Sequence, residues 1–164
     1  MNTLTRMGAM YLKLSAPFSR RGFRTFMSVL IMILPDQAKE LRSVAWDDGQ
    51  DFSFPAGDPY WQYYFLNDKE YEKEIRSFIG AMPKTPDFFL DGGANFGFWS
   101  VLLSKMVRTV SIEASSDTLE VLSLNNRNNG SRFVVEQAAL SHTAGMEIGF
   151  SKDSDHASRA IVDN

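Results

Sequence analysis

The sequence predicts an α/β fold: a parallel sheet of alternating strands and helices, preceded by a region of helices and a hairpin. Three observations carry this reading. Short apolar runs recur at 88–91, 109–113 and 133–137, and each of the first two is followed by a helical pattern, at 97–107 and 116–128. Strands separated by single helices must run parallel, with right-handed crossovers. The first strand also ends in the glycine turn Asp91-Gly92-Gly93-Ala94-Asn95-Phe96-Gly97, which lets a ligand lie against bare backbone at the carboxyl end of the strand.

The elements follow in chain order. Residues 4–34 read as helix, interrupted near Pro17 and Gly22 and stopped by Pro35. Arg42–Trp46 and Asp51–Phe54 flank Asp47-Asp48-Gly49-Gln50, and Asp-Gly between alternating apolar residues signals a hairpin. Pro55–Pro59 is a loop. Asn67 or Asp68 caps a helix running to about Met82, with Tyr71, Ile75, Phe78 and Ile79 on one face, and Pro83 and Pro86 end it. Asn128-Asn129-Gly130 closes the helix at 116–128, since Asn and Gly tolerate the left-handed conformation. Gly145–Phe150 reads as a further short strand and Ser151–Ser158 as a polar loop. The expected division is an N-terminal helical and hairpin region, 1–66, and a cofactor-binding domain, 67–164.

Composition narrows the function. Apolar residues make up 44% and charged residues 23% of the 164-residue chain, so a packed core is expected rather than disorder. The net charge of −3 gives no general support for nucleic-acid binding. With no cysteine, disulfides and thiolate zinc sites are excluded, which fits a reducing, cytoplasmic compartment. Two histidines, His142 and His156, make no metal-ligand pattern, and no metal site is expected. The N-terminus is basic: Arg6, Lys13, Arg20, Arg21 and Arg24 precede the first acid, Asp36. Ser19-Arg20-Arg21-Gly22-Phe23 has the look of a twin-arginine signal. Its apolar stretch, Phe26–Leu34, is short and no small-residue cleavage site follows it. The plainer reading is a basic amphipathic helix that packs on the domain or touches an anionic membrane surface.

The chemistry sits at the strand ends. A carboxylate at the first strand tip, Asp91, repels a pyrophosphate and suits a cationic or hydroxyl-bearing ligand. The glycines also miss the first-third-sixth spacing of the dinucleotide fingerprint, because Ala94 stands at the third position from Gly92. Both points argue against a nucleotide-cofactor oxidoreductase and for S-adenosyl-L-methionine. Gly93 lets the backbone turn under the ligand, and Gly97 lets the helix start close to the strand. Glu113 ends the second strand, twenty residues after Gly93, where a carboxylate can accept bonds from both ribose hydroxyls. At the third strand tip Ala138 leaves room for an adenine ring, and Gln137 or Glu136 can bond its amine. Asn95 either bonds the ligand or shapes the turn. The aromatic run Tyr60, Trp61, Tyr63, Tyr64 and Phe65 either lines a substrate mouth or, more commonly for such density, packs in the core.

Taken in order, Asp-Gly-Gly-Ala-Asn-Phe-Gly, Ser-Ile-Glu-Ala-Ser, Asn-Asn-Arg-Asn-Asn and Gln-Ala-Ala-Leu-Ser resemble the FkbM-type methyltransferase family. The upstream segment Tyr71-Glu72-Lys73-Glu74 and the loop Ser154–Ser158 are similar to it too, so the likeness covers about residues 65–160. The resemblance implies a Rossmann-like class I methyltransferase fold that binds S-adenosyl-L-methionine for O-methylation of a sugar or other small metabolite. It places Asp91, Gly93, Asn95 and Gly97, with Gly92 and Ala94 between them, around the methionine part. It gives the ribose to Glu113 and the adenine to Gln137 and Ala138. Proteins of that family continue with a fourth strand carrying a Lys-Ile-Asp-x-Glu-Gly-like segment, which has no counterpart before Asn164.

The sheet leads to the same expectation. A strand–helix–strand unit takes roughly 30 residues, so the 73 residues after Asp91 hold about two and a half units. The N-terminal half of a sheet is expected, truncated after the third strand. Phe88-Phe89-Leu90 is apolar on both faces and reads as a central strand, whose open edge invites pairing with another chain unless a homodimer covers it. The general base and the contacts to the small-molecule acceptor, sugar or lipid-linked, are expected in the absent half; His142 and His156 could serve as a base but read more plainly as solvated loop histidines, and no catalytic residue is assigned. The competing function is a non-catalytic remnant or interaction module that still binds the cofactor.

Overall fold

A computed structural model describes residues 1–14, 20–45, 49–66, 71–145, 149–150 and 160–161. Its contacts divide the chain into two compact units, Met1–Val44 with Ser53–Lys84 and Ala45–Phe52 with Thr85–Asn164. Residues 45–52 group with the second unit and 67–84 with the first.

The first unit opens with helices α1 (Thr3–Leu14), α2 (Arg20–Ile33) and α3 (Pro35–Lys39). Two details differ from the sequence expectation. Gly22 lies inside α2 and does not break it, while Pro17 lies outside the described residues. Pro35 ends α2 but opens α3, because proline's missing N–H costs nothing in the first turn. The buried stripe of α2 places Phe23, Met27 and Leu30 beside Leu4, Ala38 and Ala56. Gly8 of α1 allows this approach: a Cβ there would meet Met27 Sδ at 3.3 Å. Tyr11 stacks on Phe26 with ring centroids 4.3 Å apart.

Strands β1 (Leu41–Ala45) and β2 (Asp51–Pro55) form a two-stranded sheet at the expected place. Helix α4 (Pro59–Leu66) follows, where the sequence was read as loop up to Pro59. Asp58 starts it, accepting bonds from the N–H groups of Tyr60 and Trp61 at 2.9 and 3.0 Å, with Pro59 in the first turn. The aromatic run packs against itself and its neighbours, with Trp61 buried and Tyr60, Tyr63, Tyr64 and Phe65 partly exposed. Phe65 stacks on Phe54 at 5.3 Å, and Tyr71 packs between Trp61 and Tyr64 at 4.7 and 5.3 Å. Beneath it, buried Gln62 donates to Thr5 Oγ1 and to the Ala56 carbonyl at 3.1 and 2.7 Å and accepts from Arg42 at 2.6 Å.

Tyr71 precedes helix α5 (Lys73–Gly80) and does not belong to its face, because Glu72 at its start is left-handed, with φ 43°. Asn67 and Asp68, the expected caps, lie outside the described residues. The apolar side of α5 is open, with Ile75 and Phe78 exposed. Burial pushes the Tyr71 phenol well above its ordinary value, with Tyr60 and Glu72 adding to the effect. A phenol held protonated by the fold contributes stability fully present below about pH 10, the ordinary tyrosine value, and lost as pH rises beyond it. Thermal melts at neutral and strongly alkaline pH should therefore show an alkaline loss of stability that Tyr71→Phe reduces. An identical loss in that variant would remove Tyr71 as its source.

The second unit holds strands β3 (Phe88–Gly92), β4 (Arg108–Glu113) and β5 (Phe133–Gln137), with α6 (Phe98–Leu103) and α7 (Ser116–Asn128) between them. The strands are parallel in the order β3-β4-β5, a Rossmann-like α/β arrangement. Both helices lie on one face, since Val101 of α6 and Leu122 of α7 share a buried cluster with Ala94 and Phe133. On that face Phe89, Thr109 and Phe133 align across the sheet, and so do Asp91, Ser111 and Val135. On the other face Leu90, Val110 and Val134 align, and there Phe88, Leu90 and Val134 are about half exposed. β3 is an edge strand among the described residues, the open-edged position expected for it in a half sheet. The closure of α7 also differs in detail. Gly130 takes the left-handed conformation with φ 83°, whereas Asn129 does not. The Asn129 side chain instead joins the Asp51 backbone, accepting from its N–H at 3.0 Å and donating to its carbonyl at 2.7 Å. Two short strands, β6 (Gly149–Phe150) and β7 (Ala160–Ile161), pair antiparallel; the expected loop 151–158 lies outside the described residues. Among the described residues no helix is long and apolar enough to cross a membrane.

Candidate functional site

Parallel strands present their carboxyl ends together, and the register here brings the three expected tips side by side. Gly92 aligns with Ile112, and Glu113 with Gln137. The glycine turn folds over the end of β4. The N–H groups of Gly93 and Ala94 both donate to the Ile112 carbonyl, at 2.9 and 3.0 Å. The Ala138 N–H reaches the Glu113 carbonyl at 3.2 Å, which fixes the third tip beside the second. Asp91, Gly92, Gly93, Asn95, Glu113, Gln137 and Ala138 thus stand along one rim of one sheet.

Each rim residue is held by a specific cause. Asp91 accepts from Ser100 Oγ at 2.5 Å, and Ser100 Oγ lies 2.6 Å from Ser111 Oγ. Two buried hydroxyls therefore anchor the carboxylate at the helix-covered side of the sheet. Gly93 is left-handed, with φ 74°, and nothing lies within 4 Å of where a Cβ would stand. The turn is open to a ligand there. Gly97 is left-handed too, but for a packing reason: a Cβ would come within 2.4 Å of Leu122 Cδ1. It is buried and lets α6 begin against α7, a helix–helix approach where the sequence expectation was one of helix to strand. Ala94 is 7% exposed and its methyl group belongs to the core, so only its backbone is available to a ligand.

Glu113 has a structural task that the sequence did not suggest. Its Oε2 accepts the Asn95 N–H at 2.8 Å, and its Oε1 accepts the N–H groups of Ala114 and Ser115, both at 2.9 Å. Asn95 carries φ 52°, an unusual conformation for a residue with a side chain, and the bond to Glu113 holds it. Ser115 in turn caps α7, accepting from the Thr118 N–H. The carboxylate is a clamp between the glycine turn and the α7 entry. A carboxylate offers about four acceptor directions, so three backbone partners leave room for a ligand hydroxyl.

One rim residue escaped the sequence reading. Leu140 is 63% exposed, yet its Cδ1 lies 2.5 Å from where a Gly92 Cβ would stand. Leu140 leans on Gly92 from solvent, where its side chain is free to swing, and gives the rim an apolar surface beside Ala138. The signal lay in the quoted Gln-Ala-Ala-Leu segment. Its leucine follows a strand end rather than sitting in a strand, where an apolar side chain has no core to enter. Glu136, the other candidate for the adenine amine, aligns with Ile112 on the open face of the sheet, opposite to the face of Gln137. His142 is exposed after β5, and His156 lies outside the described residues.

No protein-family model matches the chain, and no curated protein matches it significantly. Among solved structures, a protein of Pyrococcus horikoshii described as a "putative transferase" is similar at 12% identity with a TM-score of 0.43, over 71% of this chain. The present chain spans 47% of that protein's length.

Proposed function

We propose that the second unit binds S-adenosyl-L-methionine across the carboxyl ends of β3, β4 and β5, in a protein of the methyltransferase type. The observation that carries the reading is the open left-handed turn at Gly93, set between the carboxylates of Asp91 and Glu113 at adjacent strand tips. A dinucleotide would bring a pyrophosphate against both acids. The proposed cofactor brings an ammonium and a sulfonium cation and two ribose hydroxyls, which is the complement of that pair. When bound, the cofactor supplies a methyl group on a positively charged sulfur, ready for transfer to an acceptor oxygen.

The chain's own residues divide the work. Asp91, steadied by Ser100, faces the cationic methionine part, and the Gly93 backbone passes beneath it. Glu113 keeps the turn closed and presents its remaining acceptor direction to the ribose. Ala138 and Leu140 offer a small and an apolar surface to the adenine, and Gln137 is the proposed partner of its amine. Holding donor and acceptor in line is the largest service such a site performs, since alignment alone is worth about 7–11 kcal/mol of barrier. The acceptor proposed is a small molecule with a hydroxyl, on a sugar or another metabolite. The rim assigns no general base.

Isothermal titration of the folded chain with S-adenosylhomocysteine tests the reading. Saturable one-to-one binding is expected. A folded chain that gives no binding heat, and whose melting temperature the ligand does not raise, would overturn it. Binding without methyl transfer to any hydroxyl acceptor would favour the non-catalytic form of the same site.

A further inference from the structure

Helix α2 has an outward face that a surface helix should not have. Its inward stripe, Phe23, Met27 and Leu30, is at most 2% exposed and fills the core of the first unit. The opposite stripe reads Arg24, Thr25, Ser28, Val29, Met32 and Ile33, all exposed. Surface helices set charged and polar residues on that side. Here the last two turns present Val29 at 50%, Met32 at 82% and Ile33 at 66% exposure, and no charged residue occurs between Arg24 and Asp36.

Charge says what could cover this face. Of the chain's 17 lysines and arginines, five precede the first acid. The other twelve share the remaining chain with all twenty acids, which leaves that remainder at −8 although the whole is at −3. The N-terminal helices are thus a cationic segment on an anionic protein. Arg6, Lys13 and Arg24 are exposed along α1 and α2. A cationic flank next to an uncharged apolar stripe is the composition of a helix that lies in the interface of an anionic bilayer. A second copy of the chain fits less well. Three side chains fall far short of the roughly 800 Å² per partner that a stable dimer buries. Nucleic acid would use the cations but has no use for Met32 and Ile33.

We propose that the outward face of α2 docks the protein on anionic phospholipid bilayers, with Val29, Met32 and Ile33 entering the headgroup–acyl boundary and Arg24 meeting lipid phosphates. Arg24 stands two turns before Met32, about 12 Å along the helix axis, so the cation stays at headgroup level while the far end of α2 dips in. Asp36 and Glu40, on and just after α3, are exposed and repelled by anionic headgroups. They limit the contact to a shallow one, relieved only by Lys39 between them.

Vesicle flotation of the full chain tests this. The protein should float with mixed phosphatidylcholine–phosphatidylserine vesicles and stay behind with pure phosphatidylcholine. Met32→Glu with Ile33→Glu should abolish flotation while leaving the circular dichroism spectrum unchanged, since both sites are exposed. Arg24→Gln should weaken partitioning about fivefold, the worth of one cation near such a surface. Met32→Trp should strengthen it, because tryptophan favours the membrane interface. Absence of flotation with the anionic vesicles overturns the proposal, as does flotation that the glutamate pair leaves intact. Binding to duplex DNA in place of vesicles, or a dimer split by the glutamate pair without lipid binding, would also overturn it.

Discussion

Replacing Gly97 with alanine should cost the second unit about 2–5 kcal/mol. Two effects add at this position. The backbone is left-handed, with φ 84°, where an L side chain costs about 1–2 kcal/mol. The new methyl group would also stand 2.4 Å from Leu122 Cδ1, with Phe133 and Ser100 at 3.8 Å on its other sides. Leu122 is fully buried in the cluster that joins α6, α7 and β5, so it cannot swing into solvent. Crowding of that kind costs about 1–3 kcal/mol. Set against a total of roughly 5–15 kcal/mol for an ordinary domain, the loss should show as a large drop in urea midpoint or melting temperature.

The same substitution at Gly93 separates packing from binding. Gly93 has nearly the same backbone conformation, φ 74°, but open space around the missing Cβ. Gly93→Ala should therefore cost only the backbone penalty of about 1–2 kcal/mol and leave a folded chain. Its methyl group would stand where the cofactor is proposed to lie, so binding of S-adenosylhomocysteine should fall below detection. Equal destabilisation by the two variants would mean that both glycines serve packing alone, and the open turn would lose its functional meaning.

These two glycines also show what the sequence made legible. Strong periodicity and turn chemistry located β3, α7 and β5 to within a residue, because the short apolar runs have one place to go in a parallel sheet. The left-handed conformation of Gly93 and Gly97 was legible from their positions before and at the helix start. The failures have physical causes as well. Asp58-Pro59 is a sound helix start, but a run of five aromatics has no clear 3.6-residue periodicity, so the sequence assigns no element between the loop ending at Pro59 and Asn67. Tyr71 fitted the apolar face of α5 by spacing. The left-handed Glu72 behind it, which spacing cannot reveal, turns it back into the aromatic cluster of the first unit. Phe88 and Leu90 read as a strand apolar on both faces, and one of those faces is half exposed because coverage of a face leaves no mark on the letters. The second bond pattern of Glu113 was invisible for a related reason. A carboxylate at a strand end can face a ligand or its own neighbouring N–H groups, and only the turn geometry decides.

Glu113→Gln should weaken S-adenosylhomocysteine binding by roughly 10- to 100-fold and also lower stability by about 1–3 kcal/mol, and the two losses share one origin. In the folded chain Oε1 serves the Ala114 and Ser115 N–H groups and Oε2 serves the Asn95 N–H. Glutamine keeps only one acceptor end. The pair of donors at the α7 entry outweighs the single donor of Asn95, so the amide nitrogen turns towards Asn95 and sets donor against donor. Asn95 then loses the bond that offsets its φ of 52°, and the glycine turn relaxes away from the β4 tip. The ribose loses a charged acceptor at the same moment, and a charge-assisted hydrogen bond is worth about 1.5–3 kcal/mol, which sets the range for the affinity loss. Denaturant unfolding and calorimetric titration of the one variant read both quantities. Lowered stability with unchanged affinity would keep Glu113 as the clamp of the turn and take the ribose away from it. Unchanged stability with lowered affinity would mean that the turn holds itself and that the carboxylate serves the ligand first.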